Sequence, residues 1–214
     1  NGRWMFSSGV IHSGWTIVGG FVGAENDRRQ QYFFLVPAKD RKILDDWDVM
    51  GMAASGSNSF LLENAFVPEH RALDGALVLA NAPPGSKVND EPLHRMPIFG
   101  FTGTVLVSTT VGVAMGMVKE FEAMLKKNAG PPPGKPGTEE MMIRLAEATS
   151  EVECARLLVL DSARRNMQRL RAGKVLDEGD AGLTSRSSAY VAKLVRQAAT
   201  RLMEAAGGSG LTMS

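Results

Sequence analysis

Gly2-Arg3-Trp4-Met5-Phe6-Ser7-Ser8-Gly9, followed shortly by Trp15-Thr16-Ile17-Val18-Gly19, opens the chain. Branched and aromatic side chains fit a pleated sheet, whereas Ser-Ser-Gly accepts turn geometry, so the stretch predicts two strands joined by a tight loop. The same grammar continues outward. Tyr32-Phe33-Phe34-Leu35-Val36 is a second apolar run, and the polar Glu25-Asn26-Asp27-Arg28-Arg29 between it and the Trp15 strand predicts a hairpin with a charged connection. Ser59 through Val67 reads as a further strand closed by Pro68. Several such strands make a sheet or small barrel, assigned to residues 1–90.

From about Pro97 the spacing changes. Val105, Val111, Ala114, Met115, Val118, Phe121, Met124 and Leu125 recur at helical intervals, and Gly112 and Gly116 would let another helix approach closely. Gly130 through Gly137 holds four prolines and must be a loop. Thr138 is an N-cap for a second long helix running through Val152, Ala155 and Leu158 to about Leu170, with Gly173 ending it. A third is predicted from Ser185 or Ser187 to Ala206, with Tyr190, Leu194, Val195, Ala198 and Leu202 on its apolar face. Three long helices joined by loops predict an antiparallel bundle over residues 91–214. The fold class is therefore α+β, a β-domain followed by a helical bundle.

Across 214 residues, 24 Lys and Arg nearly balance 23 Asp and Glu, which leaves no overall field to gather nucleic acid or an acidic membrane. Arg164, Arg165, Arg169 and Arg171 are the one dense basic cluster, read as a solvated helix face. No aromatics interleave it as single-strand binding would need. No stretch reaches the ~20 consecutive apolar residues of a transmembrane helix. The single cysteine, Cys154, is expected as a small buried hydrophobe in a reducing compartment, which points to the cytoplasm. His12, His70 and His94 lack metal-ligand spacing, so no metal site is expected. The opening at Asn1, strand-like at once and without an initiating Met, reads as an internal segment of a domain.

Three segments in this order resemble the acyl-CoA dehydrogenase superfamily: Gly2 through Gly9 with its following strand; Trp47-Asp48-Val49-Met50-Gly51-Met52-Ala53-Ala54-Ser55-Gly56-Ser57-Asn58-Ser59 leading to Phe66-Val67-Pro68; and Glu204-Ala205-Ala206-Gly207-Gly208-Ser209-Gly210. Within it, the G-x-W-x-F-x-S-G form of the first segment resembles the oxygenase components of two-component flavin monooxygenases. The dehydrogenases' R-x-x-F-G segment has no counterpart in Lys126-Lys127-Asn128-Ala129-Gly130-Pro131.

That resemblance implies FMN or FAD used in reduced form as a co-substrate, delivered by a separate NAD(P)H:flavin reductase. It also implies a C4a-hydroperoxide that hydroxylates a small aromatic substrate. An FAD-dependent acyl-CoA dehydrogenase-like oxidoreductase is the alternative. Ser7 is the residue implied at flavin N5, with Trp4, Ser8, Gly9 and, across a subunit boundary, Gly207, Gly208 and Ser209 around the cofactor. The catalytic His or Glu is expected beyond Ser214.

Read from the residues alone, Ser7-Ser8-Gly9 and Gly56 through Ser59 are ordinary turns and Gly207 caps a helix. Trp15, which opens an apolar strand, is expected in the core. Phe99 and Phe101, ahead of the first bundle helix, are candidate walls of the aromatic substrate's pocket. Met115, Val118, Met124, Met141, Met142, Leu157 and Met167 spread over more surface than three helices can cover for one another, which predicts a subunit interface and, with the resemblance, a homotetramer.

Overall fold

The computed structural model describes residues 1–23, 30–127 and 137–207. The chain divides into two compact units, Asn1–Val88 and Asn89–Ser214.

In the first unit six strands form two three-stranded antiparallel sheets. One has the order β1 (Gly2–Trp4), β5 (Phe60–Leu62), β4 (Arg41–Ile43); the other has the order β2 (Trp15–Val22), β3 (Gln30–Pro37), β6 (Ala72–Asp74). β2 and β3 are the hairpin predicted from their apolar runs, in a register that pairs Trp15 with Pro37 and Val22 with Gln30. Its connection, Glu25 through Arg29, lies outside the described residues. The core between the sheets is Val10, Val18, Val36, Phe60 and Leu62. Trp4 bridges the two sheets: its ring stacks on Phe60 with centroids 5.5 Å apart, and its indole N–H donates to the Gly19 carbonyl at 3.0 Å.

Two expectations for this unit fail, one on strand alternation and one on a left-handed residue. In β2 the buried residue is Val18, so Trp15, Ile17 and Phe21 share the opposite, outward face. Trp15 is accordingly 47% exposed, with the Arg71 guanidinium 4.7 Å from its ring centroid, and is not a core residue. The strand expected over Ser59 to Val67 is only Phe60–Leu62, because Asn64 takes a left-handed φ of 51° that ends the extended run.

The second unit is a bundle of α2 (Ile98–Lys127), α3 (Thr138–Arg171) and α4 (Glu178–Ala206), after a short α1 (Gly75–Leu79) in the first unit. Its seam is built on small residues at helical spacing. Ala114, Val118 and Phe121 of α2 meet Ala148 and Val152 of α3 and Ala198 and Leu202 of α4, and one layer on Val111, Ala155, Val191 and Leu194 meet. The later part of α2 thus faces the earlier part of α3, and Asn166 of α3 meets Thr184 of α4 while Arg144 meets Glu204. Both successive pairs therefore run antiparallel.

α4 begins seven residues before the earliest start read from the sequence. Asp177 and Asp180 form a reciprocal capping box, each carboxylate accepting the other's backbone N–H at 2.9 and 3.1 Å. This outweighs the poor propensity of Gly179 and Gly182. The N-cap of α3 is Gly137, at φ 95°, and not Thr138.

Val191, not Tyr190, takes the buried position on α4; Tyr190 is exposed with Lys193 over its ring. Cys154 is exposed, because the α3 seam passes through Val152 and Ala155 on either side of it. Gly112 and Gly116 lie on the exposed face of α2, which uses Ala114 and Val118 for close approach, and Val105 and Met115 are exposed with them. Contrary to the sequence reading, Gly100–Lys126 is by length and mean hydropathy (1.6) apolar enough to cross a membrane. Val105, Leu106, Val107, Val111 and Val113 raise that average while Thr102, Thr104, Ser108, Thr109 and Thr110 interrupt the apolar run, and the helix packs on α3 and α4 through Val111, Ala114, Val118 and Phe121.

Candidate active site

The Trp4–Gly9 segment leaves β1 and crosses the mouth of a cleft of 520 Å³ lined by Trp4, Met5, Phe6, Ser7, Ser8 and the outward residues Trp15, Ile17 and Gly19 of β2. The chain turns here through Phe6, whose φ of 57° is unusual for a bulky side chain and places its ring 72% exposed, edge-on to Trp47 at 6.1 Å.

What holds this turn is a strap from Asp46 to Ser59. The Ser7 N–H donates to the Asn58 carbonyl at 3.3 Å and the Gly9 N–H to the Ser55 carbonyl at 2.9 Å. A chain of hydroxyls runs from Ser8 through Ser57 (2.9 Å) to Ser55 (2.7 Å). The strap is itself closed by a reciprocal pair. Asn58 Oδ1 accepts the N–H groups of Asp46 and Trp47, and Asp46 accepts the Ser59 N–H at 2.7 Å. That backbone hydrogen bond, with Arg3 at 2.9 Å as a further contributor, holds the Asp46 carboxyl below the usual carboxylate range.

On the far side of the cleft Arg41 fixes the loop between β1 and β2. It donates to the Val10 carbonyl at 2.6 Å, to Ser13 Oγ at 3.1 Å and to Thr16 Oγ1. Burial pulls the pKa of its guanidinium down.

Against this frame the sequence-derived residues separate. Ser7, Ser8, Gly9 and Trp4 come together, with Trp4 also committed to packing on Phe60. Ser7 Oγ makes no hydrogen bond to any described residue, whereas Ser8 Oγ is engaged by Ser57. Gly56 through Ser59 is more than a turn: Ser57, Asn58 and Ser59 are buried and clamp the Ser7 segment. His12 is exposed.

In the helical unit Phe101 is 40% exposed on α2, and the side chain of Phe99 is outside what the structure describes. Gly207, at φ 55°, caps α4 with its N–H donating to the carbonyls of Glu204 and Met203; Gly208 and Ser209 lie outside the described residues. Among the described residues no group of His, Cys, Asp and Glu is arranged to hold a metal.

Sequence reasoning missed Arg41 and Asp46. Arg41 sits in Lys39-Asp40-Arg41-Lys42, a run that reads as a solvated turn. The only available signal for Asp46 was an Asx residue bordering a turn.

The cleft fits a flavin. The Trp4, Phe6 and Trp15 side chains line it, its volume lies in the ~300–1,000 Å³ usual for cofactor sites, and one lining hydroxyl, that of Ser7, has no hydrogen-bond partner among the described residues. The family pattern described as acyl-CoA dehydrogenase, C-terminal domain, matches residues 104–214. The chain belongs to this family.

Among relatives of the family, a pigment production hydroxylase from a Rhodococcus species is 30% identical over 98% of this chain and 54% of its own length. The oxygenase subunit HsaA of a flavin-dependent monooxygenase from Rhodococcus jostii is 32% identical over 72% of this chain and 41% of its own. The crystal structure of 3-HSA hydroxylase from a Rhodococcus species matches with a TM-score of 0.90 at 27% identity, over 99% of this chain and 54% of that one. The chain therefore spans about half the length of the curated relatives it matches, and its fold is acyl-CoA dehydrogenase-like.

Proposed function

We propose that the protein is the oxygenase component of a two-component flavin-dependent monooxygenase that hydroxylates a small aromatic substrate. The observation that carries this is the Ser7 hydroxyl, without a partner among the described residues in a cleft lined by Trp4, Phe6 and Trp15, while the strap engages the Ser7 and Gly9 N–H groups and the Ser8 hydroxyl. The relatives named as hydroxylase and oxygenase subunit support the same reaction class.

Reduced flavin, FMN or FAD, supplies when bound the electrons that activate dioxygen. The chain's own residues do the rest: Trp4, Trp15 and Ile17 would wall the ring system and keep water from it, and Ser7 Oγ would hold a hydrogen bond at flavin N5. Ser8, tied to Ser57, keeps the backbone of the turn in place. Phe101 would contribute to the aromatic substrate's surroundings, and Gly207 with Gly208 and Ser209 to flavin contacts across subunits. An NAD(P)H:flavin reductase supplies the cofactor, and a cytoplasmic homotetramer fits the exposed Leu106, Val113, Met142 and Leu157 of the bundle.

The full-length protein, given reduced flavin, oxygen and a phenol, should form a hydroxylated product, and Ser7→Ala should divert oxygen to hydrogen peroxide while leaving the fold intact. Tight binding of oxidised FAD that is reduced by an acyl-CoA would instead establish the dehydrogenase reading. For assembly, light scattering across a hundredfold dilution should show a tetramer, and a monomer throughout would refute it.

A further inference from the structure

The helical unit has a cleft of its own. It measures 470 Å³ and is formed by the first turns of α2, the second half of α3 and the start of α4. Its walls include Met96 and Leu176, with Gly100 and Gly103 of α2 and the polar pair Asn166 and Thr184. A Cβ built on either glycine would meet nothing within 4 Å, so these glycines leave open space and do not serve close packing within the chain. Each lowers helix propensity relative to Ala.

Asn166 is 3% exposed and Thr184 4%. Thr184 Oγ1 donates to the Asp180 carbonyl at 2.9 Å, so its oxygen must accept, and the Asn166 amide nitrogen donates to it at 3.0 Å. That fixes the orientation of the amide and leaves Asn166 Oδ1 as a buried acceptor with no partner among the described residues. An acceptor in that condition is desolvated without compensation until a donor reaches it.

We propose that this cleft is a binding site for a planar, largely apolar molecule carrying one hydroxyl or N–H donor, such as a phenol, with the donor satisfied by Asn166 Oδ1 and the ring lying against the glycine face of α2. Asn166 is itself one of the residues lining the cleft, which sets this acceptor beside the bound ring. This ligand class follows from the helical unit alone, whatever the β unit binds.

The test uses full-length protein with 4-fluorophenol, and with 4-fluorotoluene as the shape-matched probe lacking the donor, followed by fluorine NMR. The expected result, recorded with no flavin present so that the substrate site of the β unit is incomplete, is a bound 4-fluorophenol signal that disappears in Gly103→Leu, while that variant's melting temperature does not fall because leucine fills open space and favours helix. Asn166→Leu should bring the affinity for 4-fluorophenol down about tenfold, to that of 4-fluorotoluene. No bound signal in the wild-type protein, a signal that survives Gly103→Leu with the same affinity, or equal binding of the two probes to the wild-type protein would each overturn the proposal.

Discussion

The β unit and the helical unit reach order by different means. In the β unit a few large side chains, Phe60 above all, make the core, and the functional turn is held by hydrogen bonds from a distant strap: Asn58 to Asp46 and Trp47, Ser57 to Ser8. In the bundle the seam is made of Ala114, Ala148, Ala155 and Ala198, small residues that let helices approach, with ion pairs such as Arg201 to Glu147 and Glu151 outside it. The difference teaches where each unit is vulnerable: one to truncation and lost hydrogen bonds, the other to added volume. All three tryptophans, Trp4, Trp15 and Trp47, belong to the β unit. Their fluorescence reports on it, while helical circular dichroism reports chiefly on the bundle.

The largest effect is expected at Phe60, 1% exposed and stacked on Trp4. Phe60→Ala should cost about 3–5 kcal/mol through lost burial and a residual cavity. In denaturant titration the fluorescence transition should move to lower concentration ahead of the circular dichroism transition. Coincident shifts would show that the two units unfold as one and break the comparison.

The mirror experiment adds volume. Ala155 is fully buried between α2 and α4, so Ala155→Leu should cost about 1–3 kcal/mol by overpacking and move the circular dichroism transition first. The same enlargement at Ala146, exposed on α3, should be neutral. Equal effects at both positions would mean that the seam is not as close-packed as its alanines indicate.

These positions also show what the sequence could reveal. The bundle was legible because a buried face repeats every three to four residues, and the hairpin because two apolar runs flank a polar one. Periodicity does not give phase, however. Trp15 and Val18 fit one apolar run equally well, and only the opposing sheet decides that Val18 faces in. Likewise Tyr190 and Val191 differ by one step on a helix. The early start of α4 was written in Asp177-Glu178-Gly179-Asp180, but two glycines obscured it.

Of the candidate site, the Ser7 turn was visible through resemblance. The strap that holds it was not, because Asn58 and Asp46 act through contacts with backbone groups 11 to 13 residues away, which no local pattern records.

The strap itself supplies the next test. Asn58 is 7% exposed and its side-chain oxygen serves two backbone N–H groups. Asn58→Ala strands both donors, at the lower end of about 1–3 kcal/mol because water can reach the exposed Asp46 side. The fluorescence transition should shift while the circular dichroism transition does not. A variant with both transitions unmoved would show that the reciprocal pair with Asp46 is dispensable.

The smallest effect is expected from protons. Asp46 has its carboxyl depressed first by the Ser59 N–H and then by Arg3, so its folded value lies below the ~3.9 of an unfolded Asp. A depressed carboxyl contributes stability at every pH above the unfolded value and loses it as pH falls through the folded one. The window is therefore below about pH 4, and neutral solution should show nothing of it. Asp177 of the bundle is depressed for a similar reason, the Asp180 N–H at its helix cap, so acid weakens both units and total stability cannot assign the loss. The assignment comes from the two probes. Between pH 6 and pH 3 the urea midpoint seen by tryptophan fluorescence should fall further in the wild-type protein than in Asp46→Asn, whose amide keeps an acceptor for Ser59 but has no charge to lose. The midpoint seen by circular dichroism should fall equally in both. A fluorescence midpoint with the same acid slope in Asp46→Asn as in the wild-type protein would mean that the strap is held by shape alone, and that the charge facing Arg3 has no part in it.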